Sequence, residues 1–342
     1  MNLEQRYQNL LRRRAPTEDR VTRAFAENFE QEQELSLRLL IGGLAPVDAR
    51  YTAMLVEQGD RVEEQLRRRI QDDHAGVVYR RQGSVSNNTH IRFSSDVDVL
   101  AVIGDFFTLE PPQAATSPYQ GDPIADLLRL RRSCVRHLGD AYPAVTVDDS
   151  GSFAIWLKGG SLRCDVDVVP SNWYDTVAYS NTGLERDRGI MVLNRDRRER
   201  SKNYPFLFNY RIQEQDTQMG GVLRAQIRLL KTIASDLKIA REGEPLSSFD
   251  ICSVVYRMDA PTLVGIRTHP VRLATNLLAW LRQLESNEQL RKTLKVIDES
   301  RLIFDKGNKL VGLTALRRGL EELVSALPVG LGMFLYENTS YL

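Results

Sequence analysis

The sequence predicts an α+β protein in which a core built on a mixed β-sheet is followed by a helical lobe packed across a cleft. Three observations carry that expectation. Residues up to about 72 are rich in Ala, Leu, Glu, Gln and Arg with apolar positions at helical intervals. From Val77 the pattern changes to short β-branched and aromatic runs, and beyond about residue 219 it returns to helical periodicity.

Taken in order, residues 18 to 41 and 46 to 72 read as helices, the second with Met54, Leu55, Val62 and Leu66 on one stripe. Strands are expected at Val77 to Arg80, Val97 to Ile103, Val145 to Asp148, Ser152 to Leu157 and Leu162 to Val169. A helix from about Pro123 to Leu138, ended by Gly139 and Pro143, separates the second strand from those that follow. After Pro170 the charged stretch Asn172 to Asn203 reads as mostly loop. Helices are then expected at about 219 to 240, 248 to 258, 269 to 285 and 313 to 326. No internal repeat or Gly/Ser linker interrupts the chain, so the division is drawn between 1–205, the N-terminal helices and sheet core, and 206–342, the helical lobe.

Composition narrows the function. The 342 residues carry 46 Lys and Arg against 45 Asp and Glu, a net charge of +1, so no global field gathers a long polyanion and no obligatory long nucleic acid is implied. Cys134, Cys164 and Cys252 are an odd set without paired spacing, which points to reduced thiols and a cytoplasmic location. The start, Met1 to Arg14, has no apolar signal region, and no run approaches the roughly 20 apolar residues of a membrane span. The late apolar stretch Leu323 to Tyr336 is broken by Pro328, Gly330 and Gly332 and reads as buried packing.

The chemistry is carried by acids on strands. Residues 83 to 99 form a small polar turn that runs into a strand opening with Asp96 and Asp98. Residues i and i+2 of a strand face the same side, about 7 Å apart along the backbone at roughly 3.3 Å per residue, so the two side chains can converge on one ion. Two adjacent carboxylates repel unless a divalent cation compensates them, and magnesium is the natural candidate. A second acidic strand, Cys164-Asp165-Val166-Asp167-Val168-Val169-Pro170, repeats the alternation of acid and apolar residue. Either of its acids could supply a third carboxylate; Asp167 is the choice and Asp165 the reserve, with a hydrogen bond to a neighbouring strand, or an ion pair to Arg163 or another base, as the structural alternative for Asp165. Two ions about 3.5 to 4 Å apart would clamp an in-line phosphoryl displacement. At Gly83-Ser84, glycine permits close approach of the main chain, and exposed N–H groups with the Ser84 hydroxyl can bind phosphate oxygens.

Gly83-Ser84, then Thr89, then Ser95-Asp96-Val97-Asp98, then Asp167-Val168-Val169-Pro170 resembles the polymerase-β-like nucleotidyltransferase superfamily, and within it the cGAS/DncV-like group of bacterial cyclic-oligonucleotide synthases, the CD-NTases. The resemblance spans roughly residues 45 to 260. Arg228-Leu229-Leu230-Lys231 resembles the family's helix with a triphosphate-binding lysine. Ser248-Phe249 resembles its Ser-Tyr step, where the hydroxyl meets phosphate and the ring stacks on the donor base. Phe249 keeps the stacking face and lacks the phenol. Many members have Arg-Gly before the threonine, where this chain has Asn87-Asn88.

The resemblance implies an enzyme that makes a cyclic di- or oligonucleotide second messenger from NTPs with release of pyrophosphate, in bacterial antiphage signalling. Asp96, Asp98 and Asp167 would be catalytic and would hold two Mg2+ ions, with Mn2+ as the alternative metal. Gly83, Ser84, Lys231, Ser248 and Phe249 would bind nucleotide. A regulatory protein or small activator and a product-activated effector are the partners such an enzyme would have. The competing readings are a nucleotidyltransferase that extends RNA, a protein or a linear oligonucleotide, and a nucleotide-binding module without turnover.

Overall fold

The computed structural model describes residues 1–13, 31–71, 73–74, 76–91, 96–238, 246–258 and 269–327. Its contacts group into two compact units, one of Ala49–Asn88 with Ser95–Tyr210, the other of Met1–Asp48, Thr89–Ser94 and Arg211–Leu342. This differs from the division at 205/206. The N-terminal helices α1 (Leu3–Arg13) and α2 (Gln31–Leu44) are grouped with the later helices and not with the strands. Two contacts show why. Buried Arg6 donates from Nη1 to the Gly319 carbonyl at 3.0 Å, and Gly43 lies so close to Leu229 that an added Cβ would come within 2.8 Å of its Cδ1.

The sheet unit opens with α3 (Ala49–Arg69), which buries Leu55, Val62 and Leu66, the stripe anticipated from the sequence. The strands are β1 (Val77–Gln82), β2 (Val97–Leu109), β3 (Thr146–Asp148), β4 (Ile155–Lys158), β5 (Val166–Asp175), β6 (Gly189–Asn194) and β7 (Glu199–Asn203). Their order is β1-β2-β5-β4-β3, with β6 pairing β5 and β7 pairing β6. Among the described residues only β2 and β5 run parallel; the other pairs are antiparallel, so the sheet is mixed as expected. One face carries Tyr79, Val97, Val99, Ile155, Leu157, Val166 and Val168 in the larger core, packed with residues of α3 and of α5 (Pro123–Ala141). The other face carries a smaller cluster of Leu100, Val102, Val169, Trp173 and Ile190.

Several expected boundaries are corrected. The strand expected to finish at Val169 continues through Pro170 to Asp175, and the stretch expected to be loop contains β6, β7 and α6 (Val177–Thr182). Proline lacks an N–H for a sheet ladder. Here β4 pairs with β5 up to Val168 and β6 pairs from Ser171, so Pro170, opposite Ala101 of β2 on one edge, falls in the gap between β4 and β6 on the other, where no N–H is needed. The helix expected to stop at Leu138 runs past Gly139 to Ala141. It is secured at its start by Asp122, whose side chain accepts from the backbone N–H groups of Ile124 and Ala125.

The helical unit also contains α8 (Val222–Asp236), α9 (Ser248–Tyr256), α10 (Pro270–Ser286), the short α11 (Glu288–Arg291) and α12 (Lys309–Ser325). Helix α7 (Pro205–Gln218), not anticipated from the sequence, runs across the division between the units. Helix α8 is buried along most of its length because α2, α9, α10 and α12 pack around it. Residues 14–30, which include the whole first half of the helix expected at 18 to 41, and 328–342, most of the Leu323 to Tyr336 stretch, lie outside the described residues. Among the described residues no single helix is long and apolar enough to cross a membrane.

Candidate active site

The site grows from the register of the sheet. Gln82 of β1 lies opposite Asp98 of β2, Asp98 opposite Asp167 of β5, and Asp167 opposite Trp156 of β4. Residues opposite one another in adjacent strands share a face. Asp98, Asp167 and Trp156 therefore form one row on the face away from the larger core, and the apolar residues between them, Val97, Val99, Val166 and Val168, are buried on the opposite side. Alternation thus does two jobs: it pins the strands and aims the acids together.

Asp96 stands just before β2 and Asp165 just before β5. The Val97 backbone N–H donates to the Asp165 carbonyl at 3.2 Å, which ties the two strand starts together. Asp165 also faces Lys158, its Oδ2 3.8 Å from Nζ, so it takes the ion-paired role that the sequence allowed for it. Ser95 lies outside the described residues.

The electrostatics of the row are those of crowded like charges. The Asp167 carboxyl is pushed up to about 8, first by desolvation, then by Asp96 and Asp98, with Lys158 opposing and Asp165 adding. Asp96 is raised in the same direction by desolvation and by Asp165. Because Asp96 as a residue is exposed, water screens much of that effect. A field that favours a proton on Asp167 favours any cation near it, and carboxylate oxygens are the donors that Mg2+ or Mn2+ prefers. Among the described residues, no three His, Cys, Asp or Glu side chains already stand in ligating geometry. The acids fit a divalent cation by donor type and by charge, and are not assembled around one in advance.

Gly83 shows how tightly the turn is built onto this row. Its φ is +82°, and a Cβ there would collide with Oδ2 of Asp98, with the carboxyl carbon only 3.0 Å away. Only glycine brings the main chain this near the carboxylate. The turn is one short helix, α4 (Gly83–Ser86), and Ser84 is half-buried in it. The Asn87-Asn88 pair, where the family often has Arg-Gly, also acquires a physical account. Asn88 has φ +52°, the left-handed conformation that glycine would supply and that asparagine tolerates. Buried Asn87 donates from Nδ2 to the Gly83 carbonyl at 3.2 Å and to Asn209 Oδ1 at 2.7 Å, holding the turn.

The remaining candidates lie in the helical unit. Lys231 of α8 is 7% exposed, so it is buried rather than solvated. It lies near the Cys252 thiol, which burial raises and Lys231 lowers. Arg228 on the same helix donates from Nε and Nη2 to the Leu44 carbonyl at 3.1 and 2.9 Å, which fixes α8 against the end of α2. Burial draws its guanidinium down to about 10. Ser248 is exposed at the first turn of α9, behind an N-cap in which Ser247 and Asp250 cap each other. The Phe249 ring is half-buried with the Arg301 guanidinium 5.7 Å from its centroid. Thr89 and His90 are buried, and Thr89 bonds the Cys252 side chain.

Reading the sequence for acids alone passed over Trp156 and Lys158. Trp156 is half-buried beside Asp167, and Lys158 is exposed with its Nζ 5.1 Å from the indole centroid. Their signal is the alternation Ala154-Ile155-Trp156-Leu157-Lys158, which puts Trp and Lys on the face opposite buried Ile155 and Leu157.

No protein-family model matches the chain. A cyclic dinucleotide synthase, CdnE, of Yersinia aleksiciae is 34% identical over 291 residues, which span 85% of this chain and 76% of that protein. The structure of a STING-associated CdnE c-di-GMP synthase from Capnocytophaga granulosa superposes with a TM-score of 0.75 at 27% identity, covering 96% of this chain and 99% of that one. A second such synthase, from Flavobacteriaceae sp., shares the fold with a TM-score of 0.78 at 23% identity over 95% of this chain and 98% of that one.

Proposed function

The chain belongs to the CD-NTases, nucleotidyltransferases that build cyclic di- or oligonucleotide second messengers from NTPs, and on that premise we propose that it joins two NTPs into a cyclic dinucleotide in a metal-dependent reaction at Asp96, Asp98 and Asp167. The observation that carries the proposal is the row in which Asp98 and Asp167 stand opposite one another, with the Gly83 turn pressed against Asp98.

Asp96, Asp98 and Asp167 would hold magnesium, or manganese in its place, which when bound would neutralise phosphate charge and acidify the acceptor hydroxyl. The chain's own residues do the rest. The Gly83 main chain and the Ser84 hydroxyl bind donor phosphate oxygens. Lys231, Ser248 and Phe249 are assigned to the donor on the family resemblance: the ammonium to the triphosphate, the hydroxyl to a phosphate, the ring to the base. Asp167 directs a ribose hydroxyl of the acceptor at the donor's α-phosphorus, and in-line attack forms the new ester and expels pyrophosphate. Closure repeats the step, with the linear dinucleotide returning as donor and its own hydroxyl attacking.

GTP is the first substrate to offer, because curated relatives at 27% and 26% identity, from Flavobacteriaceae and Lachnospiraceae, are c-di-GMP synthases. Similarity to STING-associated synthases supports a product read by a separate effector protein in antiphage signalling. The test is to incubate purified protein with labelled NTPs and Mg2+ or Mn2+, and then to treat the products with phosphatase. A phosphatase-resistant product that disappears in Asp98→Asn and Asp167→Asn is expected. Label recovered wholly as free phosphate would sink the cyclase reading, and label on a polymer or protein would favour a transferase instead.

A further inference from the structure

The row of the sheet has two ends, and only one has been used. Starting at Gln82, which leads into the Gly83 turn, it passes through Asp98 and Asp167 and ends at Trp156 and its partner Asp148 on β3. Neighbouring strands lie about 4.8 Å apart, so the turn and Trp156 are separated by roughly 14 Å with the acids between them. A transfer reaction needs its donor on one side of the reacting phosphorus and its acceptor on the other. With the donor's phosphates at the Gly83 turn, as proposed above, the Trp156 side of the acids is the end of the row left for the second nucleotide.

What stands there suits a nucleotide. The indole of Trp156 is half-buried, seated on Gly151 so closely that an added Cβ would lie 3.3 Å from its Cζ2. The loop beneath it is tied down. Buried Arg131 donates from Nη2 to the carbonyls of Gly151 and Ala154 at 2.7 and 2.9 Å, and Arg195 donates from Nη2 to that of Ser150 at 2.9 Å. A large ring held rigidly at the edge of a charged site is a stacking platform, since every base has a π-face. Lys158, one residue beyond Leu157 on the same face as Trp156, adds an exposed ammonium beside the ring, on a stem long enough to leave the ring for a phosphate.

We propose that Trp156 and Lys158 form the acceptor subsite, the indole stacking on the acceptor's base and the Lys158 ammonium binding its 5′-phosphates. The assignment rests on the nucleotidyltransferase reading above and names residues for it that lie outside the aspartate motifs.

The experiment separates the two substrates. A 2′,3′-dideoxy-NTP can only donate, and a nucleoside diphosphate, which has no pyrophosphate to release, can only accept; together they give one linear dinucleotide. Trp156→Ala is expected to raise KM for the diphosphate about tenfold, the equivalent of ~1.4 kcal/mol for one stacked base, while KM for the dideoxy donor holds. Trp156→Phe should recover most of the loss. Lys158→Met should raise KM for the diphosphate and leave that for an unphosphorylated nucleoside acceptor unchanged. An unchanged acceptor KM in Trp156→Ala, or an equal rise for donor and acceptor, overturns the subsite. Should the wild-type protein join no NTPs under any metal, the nucleotidyltransferase reading fails, and the subsite is judged by binding alone. Tryptophan fluorescence quenched by the diphosphate in wild type and not in Trp156→Phe supports it, whereas equal quenching in both, or none, overturns it.

Discussion

Asp167 on β5 and Asp250 on α9 are both withdrawn from water, and their surroundings are opposite. Around Asp167 the nearest charges are other acids, and its carboxyl is pushed up to about 8. Around Asp250 they are cations, Arg301 at 2.7 Å and Lys309 at 3.1 Å; burial alone would raise it, but Arg301, with the Ser247 hydroxyl at 2.8 Å, holds it below the usual carboxylate range. The same side chain is thus compensated in one unit and left short of positive charge in the other. An acid surrounded by its counter-charges holds structure together, whereas a group of acids without them favours a cation, which is what the proposed metal-dependent reaction calls for.

The sharpest test of the contrast is Asp167→Asn. It should lower kcat by about 10²-fold or more, since a directed carboxylate at the reacting phosphorus is removed, while chemical denaturation shows stability held or raised because like-charge repulsion is relieved. A variant that lost stability instead would place Asp167 with the structural acids. Asp250→Ala should do the reverse. Removing the buried carboxylate that Arg301 and Lys309 share, with only Asp305 at 2.7 Å left to Lys309, costs about 3 kcal/mol, read as a lower denaturation midpoint with unchanged slope.

The sign of the pH effect follows from the direction at Asp250. Its folded pKa lies below the ordinary 3.8, so as pH falls the unfolded chain takes up the proton first. Its stabilisation is complete above that value and is lost as pH drops from 3.8 through the folded pKa. Acid unfolding should therefore be shallower in Asp250→Asn than in wild type over that window.

At Gly83 the contrast is steric. Gly83→Ala should cost about 10- to 100-fold in kcat/KM, because both its positive φ and its contact with Asp98 must change, and a small displacement at a reacting centre has effects of that size. The smallest effect belongs to Asp165→Asn. Its pair with Lys158 is half exposed, so activity should stay within about threefold of wild type. A loss as large as that of Asp167→Asn would move the third catalytic position to Asp165.

Much of this was open to reading in advance because strands advertise themselves by alternation. Val97, Asp98 and Val99, and again Val166, Asp167 and Val168, announce both a strand and the face its acids take. The elements that escaped have no such signature. Helix α7 carries Phe206, Leu207, Phe208, Tyr210 and Ile212 without a single stripe, so its apolar residues suggest no face. Strand β7, Glu199–Asn203, is entirely polar and is held by pairing to β6, an interaction between segments that local composition cannot report. Lys231 looked like a surface lysine on an amphipathic helix. It is buried because helices distant in sequence surround α8 on every side that periodicity would have left to water.

By itself, then, the sequence determined the fold class, the acids and the turn in front of them, since those depend on residue type and on spacings of one or two positions. Which acid of the second strand stands opposite Asp98, why Asn88 can serve where glycine is usual, and that Trp156 completes the row were decided by tertiary structure. Register between strands separated by dozens of residues, and the backbone angle at a single turn, are set by packing over the whole unit, and no local pattern encodes them.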